Sequence, residues 1–259
     1  MYPDIQLFGS LSLPSWHIAF VLAACAAFWM FRGLNDQLRF ATDLQTRVMF
    51  VSAYVSAYVG ARIFAIVVEQ QLVGVQALGE LFRFGPMTFY GGFIGIVVSS
   101  FGIFFLYKGS QAIDRLSCAD AACVAGFFAL GIGRIGCFLN GDDYGLMLQE
   151  PAPWWAVTFL NHEELVPRIP TQLLESSIAF LLAILGYLFT TRRYFPKGVA
   201  CLSSLACYGL YRFFAEYLRG DFRGHFISDA LTPAQWISIG VIVVCNIGLY
   251  QTYIRHKNS

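Results

Sequence analysis

Residues 129–145 read Ala129-Leu130-Gly131-Ile132-Gly133-Arg134-Ile135-Gly136-Cys137-Phe138-Leu139-Asn140-Gly141-Asp142-Asp143-Tyr144-Gly145. An arginine closes a long apolar run, glycines surround it, and a polar run follows at once. A guanidinium keeps its charge at any cellular pH, so it cannot escape burial by losing its proton. In or near a bilayer it costs at least a few kcal/mol, and it is tolerated where it faces a polar cavity or an anionic partner. Arg62, Arg212 and Arg219 recur in or beside other apolar runs. A membrane protein with several such arginines handles an anion, and a phospholipid headgroup is the nearest candidate.

Composition supports the membrane reading. The 259 residues are 57% hydrophobic and 13% charged, against about 25% charged in an ordinary soluble domain. Apolar runs near the ~20-residue length of a membrane span recur throughout. The fold class expected is an all-α polytopic membrane protein, a single transmembrane domain over 1–259. Seven helices are placed at roughly 15–31, 48–68, 88–107, 118–138, 172–190, 199–217 and 234–254. No cleavable signal is read at the start. The net charge of +1, without a dense basic patch, argues against a nucleic-acid partner. The seven cysteines lie mostly in apolar runs without metal-ligand spacing. They read as small buried hydrophobes, with no metal site and no cofactor.

Lys108, Lys197, Lys257, Arg32, Arg39, Arg47, Arg115, Arg192, Arg193 and Arg255 fall on one side of the seven-span arrangement. The positive-inside rule makes that side cytoplasmic, with the N-terminus outside and the C-terminus inside. The opposite side carries Arg83, Asp142, Asp143, Glu150, Glu163, Glu164, Arg168, Asp221, Arg223 and Asp229. Segment 139–171, with Trp154, Trp155 and four prolines, is too polar to span and too aromatic for a free linker. It predicts a small extracytoplasmic head at the headgroup level. Segment 69–87, with Phe82, Phe84 and Pro86, suggests a shorter interfacial arm on the same face.

Several residues have the types and spacing for chemistry. Gly131, Gly133 and Gly136 strip bulk from around Arg134, for ligand approach or for helix packing. Arg212 and Glu216 are four apart, on one helix face, and Glu216 and Arg219 are three apart. They form a structural ion-pair ladder or line a polar site. Gln172 and Glu175 begin the fifth span behind Pro170, at a depth similar to Arg134. Glu175 is then a site acid or an acid favoured by the helix dipole. Tyr90, before Gly91-Gly92, and His17, beside Trp16, are interfacial residues or hydrogen-bonding members of a site. Cys137 is a small filler or a thiol beside Arg134.

In order along nearly the whole chain, six blocks resemble the prolipoprotein diacylglyceryl transferase family. They are Gly60-Ala61-Arg62, Tyr90 to Gly95, Gly133 to Gly145, Pro170 to Glu175, Tyr208 to Arg219 and Leu231 to Trp236. The resemblance implies a seven-span protein of the bacterial cytoplasmic (inner) membrane with an extracytoplasmic head. It implies transfer of the diacylglyceryl group of phosphatidylglycerol to a cysteine thiol of a lipoprotein precursor, with glycerol phosphate leaving. On this resemblance Arg134 and Arg212 clamp the phosphate, and Glu216 deprotonates or orients the thiol. Asn140 positions the lipid, and Arg62, Cys137, Asp142, Gly145, Gln172, Glu175 and Arg219 complete the substrate site. The family has histidine where this chain has Tyr90, asparagine at Cys137, glutamate at Asp142 and usually tyrosine at His17. Tyrosine and histidine have exchanged places, so His17 and Tyr90 are carried as catalytic candidates. Three readings follow: the family's own reaction, the same lipid donor with another acceptor, or a non-catalytic lipid-binding or lipid-moving protein.

Overall fold

The computed structural model describes residues 4–8, 11–69, 79–81, 89–108, 112–160, 165–220 and 231–257. It is largely helical, in two compact units, one of residues 1–37 and 119–259 and one of residues 38–118. Among the described residues, five helices are long and apolar enough to cross a membrane: Ser15–Leu38, Asp43–Val67, Arg115–Asn140, Thr171–Arg192 and Pro233–Lys257. Between 11% and 39% of an 18-residue apolar stretch within each is buried inside the protein. Val21, Leu22, Trp29, Phe101 and Phe105 are all more than half exposed, whereas Arg62, Glu175, Glu216 and Arg219 are buried. Apolar outside and charged inside is the distribution expected where lipid is the solvent.

The 38–118 unit contains α2 (Asp43–Phe64), a π-helical turn at Ala65–Glu69 and α3 (Phe89–Leu106). Thr42 starts α2 through a capping box. Its Oγ1 accepts from the Gln45 N–H at 3.2 Å while Gln45 Oε1 accepts from the Thr42 N–H at 2.8 Å, satisfying two otherwise orphan donors. Helices α2 and α3 meet on glycines. A Cβ on Gly60 would strike the Gly91 carbonyl, and one on Gly95 would strike the Ser56 carbonyl. Two of the blocks noted in the sequence are thus the two faces of one small-residue crossing. Replacing Gly60 by alanine is expected to cost about 1–3 kcal/mol, seen as a lower Tm in detergent. Gly126→Ala, with no atom near its Cβ position, serves as control; equal Tm for both variants would refute the crossing.

The other unit opens with a hairpin, β1 (Asp4–Phe8) and β2 (Leu11–Pro14), paired antiparallel with Asp4 opposite Pro14. It leads into α1 (Ser15–Leu38). Then come α4 (Arg115–Asn140), whose residues from Ala119 belong to this unit, α5 (Thr171–Arg192) and α6 (Val199–Ala215). A 3-10 turn at Glu216–Leu218 and α7 (Pro233–Lys257) complete it. Phe127, Ala179, Leu182 and Ala183 form its core, with Leu205 and Tyr208 packed against them. Glycine again sets the spacing: a Cβ on Gly131 would meet the Phe180 ring, and one on Gly136 the Ala19 side chain.

Two helix starts are capped in ways that fix neighbours. Thr232 and Gln235 form a second reciprocal cap, at 3.0 and 3.4 Å, around Pro233, and Gln235 Nε2 also donates to the Phe213 carbonyl of α6 at 3.4 Å. The block Leu231 to Trp236 is therefore a helix start with its anchor. Gly198, at φ 88°, gives α6 no side-chain cap of its own. The buried Asp120 of α4 supplies it from afar, accepting from the Gly198 and Cys201 N–H groups at 2.7 and 2.8 Å.

Several expectations shift. Helix α1 runs on to Leu38 and α2 begins at Asp43, because a helix does not stop where the bilayer does. Helix α6 has 17 residues, about 26 Å at 1.5 Å per residue, and its end tightens into the 3-10 turn instead of continuing through 217. Cys118 and Cys245 are buried as expected, but Cys25 and Cys207 are exposed; a small apolar thiol is equally at home on an apolar exterior. The arm expected at 69–87 falls largely outside the described residues, as do Arg83, Glu163, Glu164, Asp221, Arg223 and Asp229.

Candidate functional site

The site assembles at the end of α4. Helix α4 stops at Gly141, φ 83°. The Asp142 N–H donates to the Cys137 carbonyl at 3.0 Å and the Gly141 N–H to the Phe138 carbonyl at 3.3 Å. This is a glycine-closed helix end that reverses the chain. Asp143 follows in the left-handed region at φ 60°, which aspartate tolerates better than most residues. The turn aims the Asp143 carboxylate back at the helix it has just left.

Arg134 Nη1 donates to Asp143 Oδ2. Arg134 Nη2 donates to Glu175 of α5 at 3.0 Å. Tyr208 of α6 donates its hydroxyl to Glu175 Oε1 at 2.6 Å. Arg219, beyond the 3-10 turn, donates to Asp143 Oδ1 at 2.6 Å. One guanidinium thus holds two carboxylates, and Asp143 joins two guanidiniums. Arg212 pairs with Glu216 at 2.6 Å, Nη1 to Oε2. That contact is an ion pair between two buried atoms, held by opposite charge and not by a well-aligned hydrogen bond. Arg134 Nε and Gln172 Oε1 are buried and lack a hydrogen-bond partner among the described residues. Unmet buried polar atoms are expensive, and these two belong to residues of this network.

Backbone ties hold the loop to this network. Gln172 Nε2 donates to the Asp142 carbonyl at 2.6 Å and Thr171 Oγ1 to the Asp143 carbonyl at 2.9 Å. Gly145 bridges antiparallel to Arg219, and Met147 to Arg168. Segment 141–170 also has a small core of its own. Phe159, 1% exposed, packs on Phe138 and Tyr144, and the Arg168 guanidinium lies 4.3 Å over the Tyr144 ring, a cation–π contact. Short strands β3 (Val157–Thr158) and β4 (Pro167–Arg168) pair across it.

A sequence model described as prolipoprotein diacylglyceryl transferase matches residues 4–251. The chain belongs to the prolipoprotein diacylglyceryl transferase family. Among its relatives, the phosphatidylglycerol–prolipoprotein diacylglyceryl transferase of Actinobacillus pleuropneumoniae serotype 3 is 29% identical over 262 residues, covering 98% of this chain and 95% of that protein. The protein of the same name from Glaesserella parasuis serovar 5 is 28% identical over 97% of this chain and 92% of its own length. The one from Dechloromonas aromatica is 29% identical over 161 residues, 62% of this chain and 59% of that protein.

In this member of the diacylglyceryl transferase family, the structure brings together Arg134, Glu175, Gln172, Arg219 and Gly145 of the expected residues, with Arg212 and Glu216 paired on α6 and its terminal turn. Asn140 donates to the Asp142 carboxylate, so these two engage each other, and Asp142 is exposed. Cys137 Sγ lies 3.9 Å from Arg134 Nη1, a loose contact at the edge of the network. His17 stacks on Trp16, with ring centroids 3.6 Å apart. Arg62 is 1% exposed and donates to the Glu80 carbonyl within the 38–118 unit. Tyr90 is in the first turn of α3.

Two residues of the network, Asp143 and Tyr208, are not among the expected site residues. Asp143 stands beside Asp142, the acid that the resemblance singles out, and nothing in the residues alone separates the two. Tyr208 opens the Tyr208 to Arg219 block, four residues before Arg212 on the same face of α6, and that spacing is the signal that marks it. The ladder expected from Glu216 to Arg219 is replaced by the Arg219–Asp143 pair, because the 3-10 turn ends helical spacing before Arg219 is reached. The glycines around Arg134 divide: Gly131 and Gly136 serve packing, while Gly133 has open space at its Cβ position.

Proposed function

We propose that this protein transfers the diacylglyceryl group of phosphatidylglycerol to a cysteine thiol of a prolipoprotein. The thiol sulfur attacks the diacylglyceryl carbon that carries the phosphate. The S–C bond forms, the C–O bond breaks, its electron pair leaves on the phosphate oxygen, and the thiol proton passes to a base. Glycerol phosphate departs. Arg134, Arg212 and Arg219 hold the phosphate and stabilise the charge that grows on it. Glu216 accepts the thiol proton or orients the thiol, since the thiolate is the nucleophile. The observation that carries this reading is the set of largely buried guanidiniums, Arg134, Arg212 and Arg219, gathered with their carboxylates in an apolar-surfaced unit, with the buried Arg134 Nε lacking a hydrogen-bond partner among the described residues. The names of the relatives supply the donor and acceptor.

The same reading takes the chain as seven spans in a bacterial cytoplasmic membrane, N-terminus outside, with 139–171 as an extracytoplasmic head. Helices over all seven expected segments support it, as does Trp154, 95% exposed on that segment, where an interface would receive it.

The test is glycerol phosphate release from labelled phosphatidylglycerol with a lipobox peptide as acceptor, beside rescue of a strain depleted of its own transferase. Wild-type protein should do both. Arg212→Gln should lose about 10²-fold or more in kcat/KM. Wild type inactive in both assays would overturn the reading.

A further inference from the structure

The ion pairs at the site join Arg134, Arg212 and Arg219 to Asp143, Glu175 and Glu216. Their formal charges cancel. A phosphodiester brings one more negative charge into a largely desolvated place, where an uncompensated charge is costly. Something already there must yield.

The three carboxylates are not equally able to do so. Glu175 lies within α5 with a side chain 3% exposed, held by both Arg134 and Tyr208. Glu216 has a side chain 4% exposed and is bound to its own segment through Arg212. The Asp143 side chain is 27% exposed. It stands on a turn outside any helix, and its two oxygens engage two different guanidiniums. A phosphodiester likewise offers two oxygens to two guanidiniums. Rotation of the Asp143 side chain would turn Arg134 Nη1 and Arg219 Nη2 from this carboxylate to an incoming anion while Arg134 Nη2 stays on Glu175, and the backbone stays tied through the Thr171 hydroxyl and the Gly145–Ile169 hydrogen bond.

We propose that Asp143 is a resident counter-ion: it occupies the Arg134–Arg219 pair until the phosphate of the lipid donor takes its place, and so sets the affinity for donor and phosphate product. This rests on the transferase reading for the identity of the donor, but phosphate binding tests it independently. It keeps two guanidiniums aligned in the empty protein and makes binding an exchange of one anion for another.

The experiment uses the full chain in detergent or nanodiscs. Affinity for glycerol phosphate and for inorganic phosphate is read from ligand-induced stabilisation, and KM for phosphatidylglycerol from turnover. Asp143→Asn keeps shape and tolerates the left-handed backbone. It should bind glycerol phosphate about tenfold more tightly, the loss of one competing charged hydrogen-bond partner, with KM falling by a similar factor. Glu150→Gln removes one exposed negative charge from the same segment and should change neither. Folded Asp143→Asn with equal or weaker phosphate affinity would overturn the proposal and make Asp143 a structural brace. Should Asp143→Asn not fold, Asp143→Ser is read in the same way. Tighter phosphate binding without lipid turnover in any variant supports the exchange and removes the transferase reading; turnover with unchanged phosphate affinity does the reverse.

Discussion

Replacing Arg134 by glutamine is expected to lower glycerol phosphate release by about 10²–10³-fold and to destabilise the protein by about 3–5 kcal/mol. The two effects have separate causes. Arg134 joins α4 to α5 through Glu175 and to the loop through Asp143. Without it the Glu175 carboxylate, 2% exposed, keeps only the Tyr208 hydroxyl among the partners described above. A buried charge losing its ion-pair partner accounts for the stability loss. The activity loss comes from the phosphate clamp. The double variant Arg134→Gln/Glu175→Gln should regain much of the stability, since both ends of the broken pair are then neutral, and none of the activity. Thermal unfolding and turnover on the same preparations separate the two. A double variant that regains turnover would mean Arg134 acts only by holding Glu175.

Gly145→Ala is expected to be nearly as damaging from a position that bears no charge. An added Cβ would lie 2.5 Å from the Ile169 carbonyl oxygen, 2.7 Å from Ile169 Cβ and 2.9 Å from the Leu218 carbonyl oxygen. Two of those are backbone groups engaged with residues 145 and 146, through Gly145 N–H to the Ile169 carbonyl at 3.0 Å and Leu146 N–H to the Leu218 carbonyl at 2.9 Å. Neither can step aside without breaking its own hydrogen bond. The loop carrying Asp143 would move away from Arg219 and from the start of α5. Overpacking costs about 1–3 kcal/mol, and a displacement near 1 Å at a reacting site costs about 10²-fold in rate. Gly133→Ala is the companion control: no atom lies near its Cβ position, and alanine favours the helix by up to about 1 kcal/mol. Wild-type Tm and turnover in Gly145→Ala would show that the loop and Arg219 are not locked together.

What could be read from residues alone differed sharply between helices and loop. The helical segments were legible because apolar length and composition report the solvent around a helix. Their ends were not: α1 passes through Arg32, Asn35 and Asp36 to Leu38, since hydropathy marks the thickness of the apolar layer and not the last hydrogen bond. The glycines of Gly60-Ala61-Arg62 and Tyr90 to Gly95 signalled close approach, but not that they approach each other. Arg134, Arg212, Glu175 and Glu216 stood out because a charge in an apolar helix needs a reason. Asp143 did not, because a polar run after a helix has no period from which to judge which acid points inward.

Residue types and spacing alone were enough to say that this chain turns its apolar side outward and gives Arg134 and Arg212 polar partners within, because a fixed charge in hydrocarbon is costly. Which carboxylate each guanidinium meets was decided only by the tertiary structure. The left-handed steps at Gly141 and Asp143 turn the chain back, and the Gly145–Arg219 bridge brings the far end of α6 alongside. Pairing across 76 residues, from Asp143 to Arg219, depends on where the backbone carries two side chains, and local composition does not encode that.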